Sequence, residues 1–231
     1  MRVIRIFILL LIIALSGLLR ADVLKNYRIL TEQYPPFNYQ EGEKIKGLST
    51  EILLTMLKRI GSNKTMKDIE LMPWARCFKT ATENKGILLY STTRSIEREK
   101  LFKWVGPIAP NRICLFAKKG RKIKIENLND IHKYRIGAIR DDIGHHLLLS
   151  NHYKQVDLSA DMLSNLNKLN ANRIDLWAYD EIVARWEIEK LGYKNSDYEV
   201  VYVLLSSDLY FTFSLDTPDL TVRQMRKHLI R

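Results

Sequence analysis

Few side chains in this sequence have the type and spacing for chemistry, and most of those have an ordinary structural alternative. Glu97 with Glu99, and Asp141 with Asp142, could supply the acid and base of a proton transfer. Acidic pairs on helices and loops more often sit in solvent. His145 and His146 are adjacent, so on a helix they face different ways, whereas a helical metal pair needs a spacing of three or four. No metal site is expected. Cys77 and Cys114 can make one bridge or none, and lack the spacing of a redox pair. Arg94 and Arg98 each carry a fork that can grip a carboxylate through two parallel charged hydrogen bonds. Taken alone, each also reads as a surface charge beside Glu97 or Glu99. Nucleophile elbow, phosphate-binding loop and zinc-protease motifs do not occur.

These groups need a scaffold, and the pattern of apolar residues supplies one. Strands are expected at Tyr27 to Gln33, Asp68 to Met72, Ile87 to Ser91 and Ile113 to Lys118. A helix is expected from Ser49 to Gly61, with Ser49 as N-cap and Gly61 just past the end. Pro73 introduces a helix from Trp74 to Asn84, and Ser95 to Phe102 reads as a short charged helix. A second set follows the basic connection Lys118 to Lys124. Its strands are Tyr134 to Ile139, Gln155 to Leu158, Ile174 to Tyr179, Glu199 to Leu205 and Tyr210 to Leu215. Its helices are Ile143 to Leu149, Ala160 to Asn170 (Met162, Leu163, Leu166 and Leu169 inward) and Glu181 to Leu191. Alternation of this kind implies an α/β fold with a mostly parallel sheet flanked by helices, here in two lobes.

The chain has 231 residues, 46% of them hydrophobic and 27% charged, an ordinary globular composition. Arg2 and Arg5 precede an apolar run from Ile6 to Leu19, short for a bilayer crossing and sized for a signal peptide. Residues 1–21 therefore read as an export signal, with an uncleaved anchor helix as the alternative. Their removal takes three arginines and no acid, leaving +8 of the formal +11 charge. The basic residues are scattered, so a solvated surface is favoured over a nucleic-acid partner.

Four motifs in order resemble the bacterial extracellular solute-binding proteins of family 3, periplasmic components of amino-acid-type ABC transporters. They are Tyr34-Pro35-Pro36-Phe37 with Gly47-Leu48-Ser49; Pro73-Trp74; Ser91-Thr92-Thr93-Arg94-Ser95-Ile96-Glu97-Arg98 leading to Trp104-Val105-Gly106-Pro107; and Ile174 to Glu181. The resemblance covers Tyr27 to Asp219 and implies a two-lobed periplasmic-binding fold. Lobe one would hold residues 22–112 and 207–231, and lobe two 113–206, with hinges near Asn111–Lys118 and Leu204–Leu209.

On that resemblance Arg98 holds a ligand carboxylate, with Ser91 and Thr93 at contact positions and Arg94 as the local competitor. Tyr34 and Trp74 form an aromatic clamp, with Arg76 beside it; the alternative for Trp74 is a core role. Asp180 binds a ligand ammonium, or caps the helix at Glu181, or both. The family's Gly-Thr after the first strand of lobe two is replaced by Arg140-Asp141-Asp142, which places Asp141 at the cleft and disfavours the usual carboxylate contacts. The chain stops at Arg231, so a shortened closing helix is expected, with apolar surface exposed.

The implied protein is a periplasmic monomer that binds a small polar ligand without a cofactor and presents it to a membrane permease. Two rivals share the fold: a dehydratase or lyase of small acids using Asp141 or Asp142, and a periplasmic sensor module.

Overall fold

The computed structural model describes residues 22–229, so the expected export signal lies outside the described residues. From the N-terminus, β1 (Arg28–Thr31) leads to the hairpin β2 (Tyr39–Glu41) and β3 (Lys44–Lys46), then to helix α1 (Leu48–Ile60). Gly47, not Ser49, caps that helix. Its φ of 112° suits glycine, and a Cβ there would collide with the main-chain carbonyl of Phe37. Ser49 lies inside the first turn, buried, and accepts a hydrogen bond from Ser91 Oγ at 2.9 Å. Gly61 adopts the left-handed conformation expected past a helix end.

Next come β4 (Ile69–Leu71), α2 (Trp74–Glu83) and β5 (Ile87–Thr93). Every β5 residue is buried, as suits an apolar run in the middle of a covered sheet. The expected helix at Ser95 to Phe102 is replaced by turns and one 3₁₀ turn at Glu99–Leu101. Ile96 is 92% exposed and Arg98 buried, the reverse of a charged surface helix.

Two strands of 16 residues, β6 (Lys103–Lys118) and β10 (Tyr198–Phe213), dominate the architecture. They pair antiparallel from Lys103 opposite Phe213 to Lys118 opposite Tyr198. At about 3.3 Å per residue each spans about 50 Å. Separate strands at Glu199 to Leu205 and Tyr210 to Leu215, and one confined to Ile113 to Lys118, are thus corrected. Ser206-Ser207-Asp208 looks like a break, yet these residues pair with Arg112, Asn111 and Pro110. Shifts of register, including one between Leu209 and Phe211, absorb the local irregularity.

Between the long strands lie β7 (Ile136–Ile139), α3 (Ile143–Ser150), β8 (Asp157–Ser159), α4 (Met162–Asn170), β9 (Leu176–Asp180) and α5 (Glu181–Lys190). Helix α6 (Asp219–His228) follows β10. One eight-stranded sheet results, in the order β4-β1-β5-β10-β6-β9-β7-β8. Its flanks are parallel (β4-β1-β5 and β9-β7-β8), and its centre is antiparallel. The two lobes therefore share a sheet through β6 and β10.

Each end has its own core. At one end α1 and α6 pack Leu53, Met56, Leu57, Val222 and Met225 against Leu88 and Phe213. On the opposite face of that end α2 buries Cys77 and Ala81 beside Leu30 and Leu89. At the other end Leu148 of α3 packs with Ile136, Ala138 and Leu176, while α4 and α5 bury Leu166, Leu169, Val183 and Ile188 against Trp177. Leu163, expected on the inner face of α4, is 41% exposed, and Asn165 takes an interior position. Both cysteines are free and buried. Leu215 and Leu220 flank the start of α6 in solvent.

Candidate functional site

Beyond Ile139 the chain turns through Arg140 and Asp141 before Asp142 caps α3, accepting from the Ile143 amide at 2.6 Å. Asp141 sits at φ 59°. Its main-chain carbonyl accepts a hydrogen bond from Trp74 Nε1 at 2.8 Å and a longer one from Arg98 Nη2 at 3.4 Å. Trp74 and Arg98 belong to the first lobe and Asp141 to the second, so these bonds cross between lobes. The Asp141 carboxylate points elsewhere, half exposed and 4.0 Å from His145 Nδ1. The contact that Asp141 makes with the first lobe is thus through its carbonyl, not its side chain.

Arg98 is 3% exposed. Its guanidinium lies 5.1 Å from the centre of the Trp74 ring and 4.9 Å from that of Phe78. Nε and Nη1 have no hydrogen-bond partner. Burial lowers its pKa, and the charges of Asp142 and Glu32 oppose that shift. Burial raises the Asp142 carboxyl, opposed by Arg98. The Glu32 carboxyl is held well above the usual range by burial and then by Asp142. The competitor, Arg94, is spent at the surface on a two-bond pair with Glu99 at 2.7 and 2.6 Å.

The other expected residues divide. Tyr34 is buried and meets Tyr179 edge to face at 5.9 Å, so this contact also joins the lobes. Trp74 lines the cavity between the lobes, whereas Tyr34 does not. Ser91 and Thr93 are buried with their hydroxyls engaged by Ser49 Oγ and by Asn111 Nδ2 at 2.9 Å. Arg76 is exposed on α2 and lines no described cavity, so the structure does not bring it to the cleft. Asp180 is fully buried and caps α5: Oδ1 accepts from the Val183 amide at 2.9 Å and Oδ2 from the Arg112 amide at 3.2 Å. Burial, opposed by these bonds, pushes its carboxyl up to about 7. The cap alternative for Asp180 is the role observed.

A cavity of about 700 Å³ opens beside this contact. The first lobe contributes Glu32, Met72 and Trp74, and the second Met162, Tyr179 and Glu187. Sequence reasoning missed Glu32, Tyr179 and Glu187. Glu187 was detectable, because it interrupts the buried stripe Val183, Ala184, Ile188 of α5. Glu32 follows β1 directly, where α/β folds commonly place ligand contacts.

Two lobes strung on a pair of strands, with a cleft lined from both, leave room for a small molecule between them. The family model for bacterial extracellular solute-binding proteins, family 3, matches residues 27–226. The chain belongs to that family.

Solved structures similar to this solute-binding protein include a histidine kinase sensor domain resembling periplasmic binding proteins, at TM-score 0.76 and 16% identity, with 88% of this chain and 89% of that one covered. An arginine-bound Gly52Ala mutant of ArgBP from T. maritima aligns at TM-score 0.74 and 17% identity over 89% of this chain and 95% of that one. A histidine-bound substrate-binding protein of an ABC uptake transporter from Streptococcus pneumoniae aligns at 0.75 and 16% identity over 90% and 89%. No curated protein sequence matches the chain. Among the described residues no cluster of three or more His, Cys, Asp or Glu side chains could hold a metal ion, and no helix is long and apolar enough to cross a membrane.

Proposed function

We propose that this solute-binding protein captures a small polar ligand between its lobes and presents the closed form to the permease of an ABC-type transporter. The observation that carries the reading is the cleft: one cavity lined from both lobes, beside buried polar groups that lack protein partners. Buried polar groups are normally hydrogen-bonded, and each one left over has about 1–3 kcal/mol to gain from a partner.

The lobes divide at Ala109–Arg112 in β6 and Ser206–Leu209 in β10. There Asn111 Nδ2 of β6 donates to Thr93 Oγ1 of β5, beyond the intervening β10, and the long pair leaves one core for the other. The reading includes no catalytic step: Asp142 is committed to a helix cap, and the Asp141 carboxylate turns away from the cleft. Export through residues 1–21 and action as a monomer complete it.

The test is a thermal-shift screen of amino acids, polyamines and small organic acids on residues 22–231. A ligand at 100 times its Kd adds about 2.7 kcal/mol of stability. Stabilisation by one class at saturating concentration is expected; no response across the panel overturns the reading.

A further inference from the structure

We infer that the ligand of this cleft is an organic cation, an amine or guanidinium on an apolar body, for which a carboxylate adds no affinity. The inference deepens the solute-binding reading and rests on it.

Charge comes first. Carboxyls from Glu32, Asp142, Asp180 and Glu187 lie in or beside the cleft, and Arg98 is the basic side chain buried among them. Arg98 is flanked by Trp74 and Phe78 and bonded to the Asp141 carbonyl, and its unpartnered Nε and Nη1 are buried away from the cavity, whose wall does not include Arg98. Lys190 does line the wall, yet its ammonium sits 4.5 Å over the Trp186 ring. A ligand carboxylate would therefore enter a region already short of positive charge.

The wall itself asks for a cation. Glu187 is 4% exposed, and among the described residues its carboxylate has neither a hydrogen bond nor an ion pair within 4 Å, although the charge of Lys190, one turn along the helix, acts on it. Glu32, lining the same cavity from the other lobe, is half-buried, and its carboxylate has no hydrogen bond or ion pair within 4 Å among the described residues, although the charge of Arg98 acts on it. Asp161, the third acid on the wall, is different, because it is already bonded to Ser164. Tyr179, 1% exposed on the same wall, has a hydroxyl without a partner, a neutral group able to accept from an ammonium. A carboxylate that lines a cavity without a bonded partner gains from a cation brought into that cavity. Met72, Trp74, Met162 and Leu163 give the same wall an apolar stretch, which suits a cation carried on methylenes.

Two matched pairs isolate the carboxylate: arginine against agmatine, and lysine against cadaverine. Titration calorimetry on residues 22–231 should give agmatine and cadaverine at least tenfold tighter binding than their amino-acid partners. Glu187→Gln and Glu32→Gln should each weaken the amines at least tenfold, and Glu187→Gln should raise the melting temperature of the free protein by removing a carboxylate that has no bonded partner. Arg76→Ala should bind as wild type does. Tighter binding of arginine or lysine overturns the inference and leaves the solute-binding reading standing. So does a response confined to neutral or acidic compounds of the wider panel. Unchanged amine affinity in both glutamine variants overturns the assignment of the cation to these carboxylates. Silence across the whole panel overturns both readings.

Discussion

The indole nitrogen of Trp74 donates to the main-chain carbonyl of Asp141 at 2.8 Å, and this one bond ties the first turn of α2 to the turn before α3 across the cleft. Trp74 opens α2 directly after Pro73, and Asp141 sits in a left-handed backbone conformation. Trp74→Phe keeps an aromatic wall and deletes the donor. We expect a loss of about 1 kcal/mol and a fall in melting temperature of about 2–4 °C for a chain of this size. Small-angle scattering of the free protein should show a larger radius of gyration. An unchanged radius would show that the bond does not hold the lobes together.

Arg98 supports the fold as well as the cleft. Its removal leaves Glu32 and Asp142 without the buried cation that offsets them and empties the space between Trp74 and Phe78. Arg98→Ala should therefore cost about 2 kcal/mol or more, read as a lower urea midpoint. A midpoint equal to wild type would mean that the site tolerates an uncompensated pair of acids.

Asp180 makes stability depend on pH in a stated direction. Its carboxyl stands at about 7 when folded, against an ordinary value of 3.8. Between those values the folded state binds the extra proton, so stability from this group is present at low pH and is lost as pH rises towards 7. Every tenfold difference in proton affinity between the folded and unfolded chain is worth about 1.4 kcal/mol, which sets an upper bound of a few kcal/mol. Asparagine does not titrate. The stability deficit of Asp180→Asn relative to wild type should shrink by at least about 1 kcal/mol between pH 5 and pH 8, measured by urea unfolding. A pH-independent deficit would place the Asp180 proton elsewhere.

Gly47 tests how the Tyr34–Phe37 turn is held. Leu48 and Ser49 donate to the carbonyls of Pro36 and Phe37, so the helix start and the turn share main-chain bonds. Any Cβ at Gly47 meets that turn, at a φ of 112° that L-residues avoid. Gly47→Ala should destabilise by about 2–3 kcal/mol and disturb the packing of Tyr34 on Tyr179, seen as altered near-ultraviolet circular dichroism. Gly61→Ala, with open space around its Cβ, should cost about 1 kcal/mol.

Much of the fold was legible because short apolar runs and amphipathic stripes carry their own period. The stripe Leu53, Met56, Leu57, Ile60 and the buried run Ile87 to Tyr90 fold as their spacing says. Boundaries governed by distant partners were not legible. Ser206 to Asp208 look like a turn and become strand because β6 lies alongside to pair with them. Ser49 looks like a cap and is displaced by Gly47, because only glycine fits against Phe37.

The site divides in the same way. Residue type and motif order alone determined the family, the alternation of strands and helices, and the interest of Arg98, Trp74 and Asp180, because local pattern is written along the chain. Tertiary structure alone decided that Arg98 turns inward between two rings, that Asp180 spends its oxygens on a helix end and on the Arg112 amide, and that Asp141 meets the first lobe through its carbonyl. It also brought Glu32 and Glu187, 155 positions apart in the chain, to one cavity. Which atoms face one another across a cleft depends on how two separately packed lobes meet, and no periodicity within either lobe encodes that.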